Sequence, residues 1–375
     1  MSRTQTPRAG VVAITFHERG GGIAAVSRLS MEALRSPDGS PPRSMALTDQ
    51  PRGLTFATSF IDRAWFGARV ATAQATRGCD WLLFTHLSLA VVQRAIPAWA
   101  RVPYAVFLHD VEAWQALSPI RTHVLSRAFV RLANSEYTAR RVAEANPSVG
   151  PIVACPLALS PEWSRFAAQA PAAMTPPSRT VLIVGRMVAS ERYKGHDQLL
   201  EAWPDVIARA PDARLVCVGE GDDVGRLRQK AAALGVGARV DFPGFVDDET
   251  RRGWYARAAV FAMPSRREGF GLVYLEAMAA GLPCVGSIHD AAPGVIVPGK
   301  TGYLVDQGDV GELSARVVAL LQHEDGRRAM GEAGRRRVLT HFTFDAFARR
   351  LNAAIAVAQS ARAPMSLADA RHHGL

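Results

Sequence analysis

Two tandem, doubly wound α/β domains are the fold class the sequence predicts. Short apolar runs alternate with helical patterns along the whole 375 residues, the pattern of parallel sheets covered by helices. The alternation restarts at Thr180, after a stretch rich in Pro and Ala, Ser160–Arg179, that reads as an interdomain connection. The length suffices for two hydrophobic cores.

In the first half, Val11–Phe16, Trp81–Phe84, Tyr104–Leu108 and Val130–Ala133 read as strands, with helices beginning near Gly22, Phe60, Thr122 and Glu136. The second half opens on strand Thr180–Val184 and helix His196–Arg209, with Pro204 as an expected kink. Strand Arg214–Val218, helix Asp223–Leu234, strand Arg239–Phe242, helix Glu249–Arg257 and strand Val260–Met263 follow. An apolar helix comes next, and helices near Val310–Gln322, Gly326–Leu339 and Phe344–Ala358 close the chain. The expected division is an N-terminal domain over 1–165, a linker over 166–179 and a C-terminal domain over 180–342. A helix over 343–360 would pack back toward the N-terminal domain, and 361–375 would be a flexible tail.

Composition excludes more than it selects. Hydrophobic residues are 48% and charged residues 21%, ordinary for a soluble protein. No uncharged apolar run is long enough to span a bilayer, and the first residues lack an apolar signal core, so a cytoplasmic location is expected. Cys79, Cys155, Cys217 and Cys284 are scattered and expected to be reduced. The net charge is +10. Arg dominates the cations, a compositional bias, and no zinc ligands, RNA-binding aromatics or Lys-rich tail point to nucleic acid.

The most informative segment is Arg267–Glu276, where Glu268 and Glu276 stand eight residues apart around Gly269, Phe270 and Gly271. If Gly269 to Leu272 open a helix, their N–H groups form a phosphate site. Glu276 then lies about two turns inside, roughly 12 Å from Glu268. A hydrolase acid/base pair needs roughly 5 to 9.5 Å. The larger span fits the two ends of an elongated anionic ligand such as a nucleotide sugar.

Weaker signals occupy the ends of other strands. Arg186 and Lys194 follow the strand at Thr180 and fit a diphosphate, or two surface cations at a helix start. Gly20, Gly21 and Gly22 open a helix, as an anion-binding turn or merely a flexible one, and do not make a dinucleotide fingerprint. His109, before Asp110, ends Tyr104–Leu108 and is expected to face a cleft. Gly219 ends another strand, and Asp222 or Asp223 reads as the N-cap of the next helix. Val246, after Pro243 and Gly244, lies where a base would rest.

With these segments the chain resembles the family-4 retaining glycosyltransferases of the GT-B fold over nearly its whole length. The segments that carry the resemblance are VGRMVASERYKGHDQLLEA, VCVGEGDD, VDFPGFV, MPSRREGFGLVYLEAMAAGLPCV and PGKTGYLV. The resemblance implies that Arg186 and Lys194 hold the donor diphosphate and that Glu276 accepts from the ribose hydroxyls. Glu268 would sit by the donor sugar, and Gly269, Phe270, Gly271 and Leu272 would present backbone N–H groups. Val246 and Gly219 would lie near the nucleoside, His109 would contact the sugar, and Gly21 and Gly22 the phosphate. Same-face attack by the acceptor, without metal or other cofactor, is the implied mechanism. The longer loop Val188–Tyr193 departs from the usual pattern and sets Arg192 against Lys194 for the phosphate role.

The resemblance implies transfer of a hexose, mannose ahead of others, from GDP-mannose or a UDP-hexose to a glycan, lipid-linked or small-molecule acceptor. A basic stretch, Arg121, Arg127 and Arg131, is expected to form one helical face that rests on anionic membrane, or an ordinary helix packed on the sheet. The competing readings are a sugar-nucleotide epimerase, a nicotinamide-dependent oxidoreductase and a non-catalytic partner subunit. Retention of Arg186, Lys194, Glu268 and Glu276 together argues against lost chemistry.

Overall fold

The computed structural model describes residues 7–17, 21–48, 59–169 and 179–361. The N-terminal sheet holds β1 (Ala9–Ala13), β2 (Arg43–Ala46), β3 (Trp81–Phe84), β4 (Tyr104–Leu108), β5 (Val130–Ala133) and β6 (Val153–Ala154). They lie side by side in the order β2-β1-β3-β4-β5-β6, every pairing parallel. The C-terminal sheet holds β7 (Thr180–Val184), β8 (Arg214–Val218), β9 (Val240–Gly244), β10 (Val260–Ala262), β11 (Cys284–Ser287) and β12 (Gly302–Val305). Its order is β12-β11-β10-β7-β8-β9, also all parallel. The central strands are buried at nearly every position, as sheets covered on both faces require.

Helices α1 (Gly21–Ala33), α2 (Phe60–Ala75), α3 (Leu87–Ala90), α4 (Pro119–Arg127) and α5 (Glu136–Ala145) wrap the first sheet. Then come α6 (Pro161–Gln169), α7 (His196–Arg209), α8 (Val224–Ala233), α9 (Asp248–Arg257) and α10 (Leu272–Ala279). The last four are α11 (Ala292–Val295), α12 (Val310–Gln322), α13 (Glu324–His341) and α14 (Phe344–Ser360). Pro204 lies inside α7, which continues beyond it to Arg209.

Two expectations are corrected, and a third holds in position only. The stretch from Ser160, expected as connection, contains α6: Pro161 starts it, and Trp163 and Ala167, four apart, are buried. Arg121 and Arg131 do not share a helix. Ala128 is extended (ψ 137°) and ends α4 at Arg127, while Arg131 belongs to β5. The Arg131 guanidinium donates to the carbonyls of Leu125, Ser126 and Ala128 at 2.9, 2.8 and 2.9 Å, so it is an internal brace and not a membrane contact. Asp223 takes the N-cap position of α8 without a capping bond, because its carboxylate is held by Arg226 at 2.6 Å.

The two units exchange helices. α6, leaving the N-terminal sheet, sets Trp163 edge-on against Tyr255 of α9 at 5.4 Å. α14, leaving the C-terminal sheet, returns to the first unit: Asn352 donates to the Ala33 carbonyl at 3.1 Å and Arg350 to that of Pro156 at 2.9 Å. Phe347 of α14 is fully buried. Phe347→Ala should therefore cost about 3–5 kcal/mol, measured by urea unfolding; a loss below 1 kcal/mol would mean that α14 is not docked as described.

Candidate functional site

In the C-terminal sheet the strand order reverses between β7 and β10, and the crevice beyond their carboxyl ends is where such sheets take ligands. The sequence places a cation-bearing loop at one of these strand ends and a carboxylate at the other. Lys194, at the end of a 3₁₀ turn over Ala189–Lys194, brings Nζ to 3.5 Å from Glu268 Oε2. Both side chains are mostly buried. Burial works against the ammonium, but Glu268, Tyr193 and Glu191 outweigh it, and the Lys194 pKa lies above its ordinary value. Arg186 pairs with Glu191 and stays half exposed. Arg192 turns to Asp223 at 3.3 Å, which leaves Lys194 as the cation of this loop that faces Glu268.

The helix after the glycine turn opens at Leu272, not Gly269, with Gly271 as a left-handed N-cap (φ 87°) that makes no side-chain capping bond. Glu276 is therefore its fifth residue, little more than one turn inside. α10 is apolar around most of its circumference, so the Glu276 carboxylate must be met by partners. Tyr255 donates to Oε2 at 3.0 Å and Arg251 lies 3.3 Å from Oε1. Burial still raises the Glu276 pKa, opposed by Arg251 and Tyr255. Phe270 is buried and packs edge-on against Phe342 at 5.9 Å. Leu272 and Val246 are partly buried and lie against the core.

Gly219 has φ 138°, and a Cβ there would stand 2.0 Å from the Gly185 carbonyl oxygen. Its glycine identity follows from the close approach of the β7 and β8 loops. Gly21 is the first residue of α1, with φ 68°, and Gly22 follows it in open space; Gly20 lies outside the described residues.

His109 is 4% exposed, so the expectation that its ring lies open in a cleft is corrected. The ring stacks on Phe107 at 5.3 Å, and Nε2 lies 2.6 Å from the Thr85 carbonyl. A carbonyl only accepts, so Nε2 carries the proton and the neutral ring keeps Nδ1 as an acceptor. Burial lowers the His109 pKa, consistent with the neutral form. Below it, Glu112 Oε2 meets His86 Nε2 at 2.6 Å while Oε1 accepts from the His109 backbone N–H at 3.2 Å. Burial opposes both charges of this pair, yet each stabilises the other: His86 is raised and Glu112 lowered.

Several contributors carry no recognisable mark in the residue pattern. Asp290 is buried: Oδ1 accepts from Ala292 N at 2.9 Å and Oδ2 from Glu268 N at 3.3 Å. Burial, with help from Glu268, lifts its pKa to about 8. Asp110, pressed by burial and then by Glu112 and Glu268, lies at about 6. Gln307 donates to the carbonyls of Tyr193 and Pro264 at 2.9 and 2.6 Å, tying the Lys194 loop to the Glu268 loop. The place of Asp290 just before α11 marks a helix-start cap only and gives no sign of its bond to the Glu268 loop.

Residues 178–323 match the sequence profile of the glycosyl transferases group 1. The GDP-mannose-dependent alpha-(1-6)-phosphatidylinositol monomannoside mannosyltransferase of Mycobacterium tuberculosis is 31% identical over 307 residues, 78% of this chain and 74% of the relative. The chain belongs to this glycosyltransferase family. The glycosyltransferase is also 38% identical over 165 residues to the GDP-mannose-dependent monoacylated alpha-(1-6)-phosphatidylinositol monomannoside mannosyltransferase of Corynebacterium glutamicum, a match spanning 42% of each protein. The sucrose-phosphate synthase of Thermosynechococcus elongatus superposes with a TM-score of 0.75 at 22% identity, covering 95% of this chain and all of that one. That likeness establishes GT-B as the fold of the glycosyltransferase.

Because Asp290 is held above the ordinary carboxylate value of 3.8, the folded state keeps a proton that the unfolded chain releases, between 3.8 and about 8. Its contribution to stability is thus lost as the pH rises through that window. Asp290→Asn, uncharged and of similar shape, should show a shallower fall of unfolding free energy over the same range. Parallel wild-type and variant curves in a pH series of urea unfolding would refute the assignment.

Proposed function

We propose that this hexosyltransferase transfers mannose from GDP-mannose, with retention, to a hydroxyl of a lipid-linked or other glycan acceptor. The observation that carries the reading is the Lys194–Glu268 pair at the strand-order reversal, beside the uncapped N-terminus of α10. Mannose and GDP are favoured because the mycobacterial and corynebacterial relatives are named for GDP-mannose. A UDP-hexose donor and a soluble acceptor are the other outcomes of the test below.

In this reading Arg186 and Lys194 neutralise the donor diphosphate as its bond to the sugar breaks, the electrostatic term that dominates such reactions. With both cations supplied by the chain, no metal is required. The acceptor oxygen attacks the anomeric carbon from the face the phosphate leaves, and its proton passes to the departing phosphate oxygen. Glu268 faces the sugar, Glu276 accepts from the ribose hydroxyls, Gly219 and Val246 flank the nucleoside, and the N–H groups from Gly269 to Leu272 meet phosphate and sugar. Gly21 and Gly22 close on the phosphate from the other domain. His109 offers Nδ1 as an acceptor to a sugar hydroxyl.

Thermal unfolding with GDP, UDP and ADP should show selective stabilisation by GDP. Lys194→Ala should lower kcat for mannosyl transfer about 100-fold or more, with Tm unchanged within a few degrees and no effect of a chelator on the wild-type rate. Stabilisation by UDP alone would move the donor assignment. An unchanged kcat in the variant would remove Lys194 from the mechanism.

Among the described residues no helix is long and apolar enough to cross a membrane. Peripheral contact is a separate part of the proposal, and it moves from α4 to α2. Phe60, Ile61 and Trp65 there are 86%, 67% and 69% exposed, and they fall on one side of the helix. Such a face suits the interfacial region of a bilayer. Replacing all three with Ser should weaken cosedimentation with phosphatidylglycerol vesicles several-fold; unaltered cosedimentation would place the membrane contact elsewhere or nowhere.

A further inference from the structure

Beside the donor loop, hydroxyl groups of the N-terminal domain reach across to backbone of the C-terminal domain. Ser135 Oγ donates to the Gly269 carbonyl at 2.6 Å, and Thr138 Oγ1 lies 3.2 Å from the same oxygen. Both side chains are buried, Ser135 at 5% and Thr138 at 0% exposure. The Ser135 oxygen is also the N-cap of α5, accepting from Thr138 N at 3.0 Å. One lone pair thus serves the cap while its proton is left for Gly269. Thr138 Oγ1 stands equally close, 3.2 Å, to the His109 carbonyl. The first turn of α5 therefore touches the backbone of both residues that the donor reading places around the sugar.

Gly269 leaves no slack. A Cβ at this position would fall 2.0 Å from the His109 carbonyl oxygen and 3.0 Å from Asp110 Cβ. The two domains meet here with backbone against backbone, flanked by the short hydroxyl side chains of Ser135 and Thr138.

We propose that Ser135 and Thr138 are positioning residues that lock the donor loop when the domains close. The peptide unit is planar, so fixing the Gly269 carbonyl fixes the direction of the Phe270 N–H, one of the groups assigned to sugar and phosphate. Opening the domains takes both hydroxyls away and frees that peptide to rotate. The donor loop is then in its productive orientation only while the acceptor domain is seated, which keeps the activated sugar from water until both halves are in place. This rests on the donor reading above for its meaning, though not for its geometry.

The test is a set of variants read by small-angle scattering, with and without GDP, and by kinetics. Thr138→Val removes one hydroxyl at constant shape and leaves the Ser135 cap intact. Ser135→Ala with Thr138→Val removes both. Thr138→Ser and Ser135→Thr keep the hydroxyls, and Tyr137→Phe removes a different cross-domain bond, from its hydroxyl to the His289 carbonyl at 2.9 Å. The double variant should show a larger radius of gyration than the wild type. It should also lose about 10-fold or more in kcat, the scale of a buried carbonyl left unpaired. The GDP dissociation constant should move less than about 2-fold, since in the donor reading all nucleotide contacts but those of Gly21 and Gly22 come from the C-terminal domain. The hydroxyl-retaining variants and Tyr137→Phe should keep wild-type kcat.

Scattering curves that match the wild type in both conditions would overturn the proposal, as would a kcat loss that Thr138→Ser or Ser135→Thr shares. If the wild type consumes no GDP-mannose, the donor reading fails. The scattering comparison then decides the lock by itself.

Discussion

The constraint on which the site depends is the meeting of two backbones across the domains, Gly269 against His109. A glycine is required because a single carbon would sit 2.0 Å from the opposing carbonyl oxygen, well inside contact distance. From that point outward the donor loop is pinned on every side. Asp290 takes the Glu268 N–H at 3.3 Å, Ala291 N donates to the Glu268 carbonyl at 3.0 Å, and the Tyr274 hydroxyl bonds the Met263 carbonyl at 2.5 Å. Backbone groups can serve as preorganised donors only when held like this, since a loop free to reorient would relax around the ground state as readily as around the transition state.

The exchange of α6 and α14 ties the same loop to the crossing between domains. Phe342, the residue that caps α13, packs on Phe270 at 5.9 Å, and its carbonyl accepts from Leu159 N at 3.1 Å. Leu159 just precedes α6. Trp163 of α6 stands against Tyr255, whose hydroxyl holds Glu276. Each end of the proposed nucleotide-sugar site thus leans on a segment that crosses from one domain to the other. A rotation of the domains must carry these contacts along or break them, and well-packed aromatic contacts favour discrete positions over continuous sliding.

How much of this was legible in the sequence depended on the kind of force involved. The buried parallel strands Tyr104–Leu108, Thr180–Val184 and Arg214–Val218 are legible to the residue, because a strand covered on both faces is a near-continuous apolar run. The edge strands β2 and β6, and the short strands β11 and β12, escaped. Arg43-Ser44 and the Gly-containing Cys284–Ser287 and Gly302–Val305 carry weak intrinsic preference and are held by their neighbours' ladders. Glu268 and Glu276 are legible from their eight-residue spacing around a Gly-Phe-Gly turn, and Arg186 and Lys194 from their place after the apolar strand at Thr180. Asp290, Gln307, Ser135 and Thr138 are not, because a residue that acts on backbone of another segment has its partner far away in the chain. The supposed α4 face failed for a related reason: charge spacing at four residues assumes a continuous helix, and Ala128 breaks it.

The site's electrostatics follow one rule, that no buried charge is left alone. Lys194 has Glu268, Arg186 has Glu191, and Glu112 has His86. Asp110 and Asp290, which lack a full cationic partner, are instead pushed toward the protonated form. In the proposed donor reading an incoming diphosphate would find Lys194 already largely dehydrated and oriented, and its binding would exchange the Glu268 carboxylate for phosphate. That exchange avoids most of the desolvation cost of burying a bare ammonium. In the same proposed reading it would release Glu268 from Lys194 as the sugar arrives beside it, so the carboxylate that holds the cation before binding would be free to accept from the sugar afterwards.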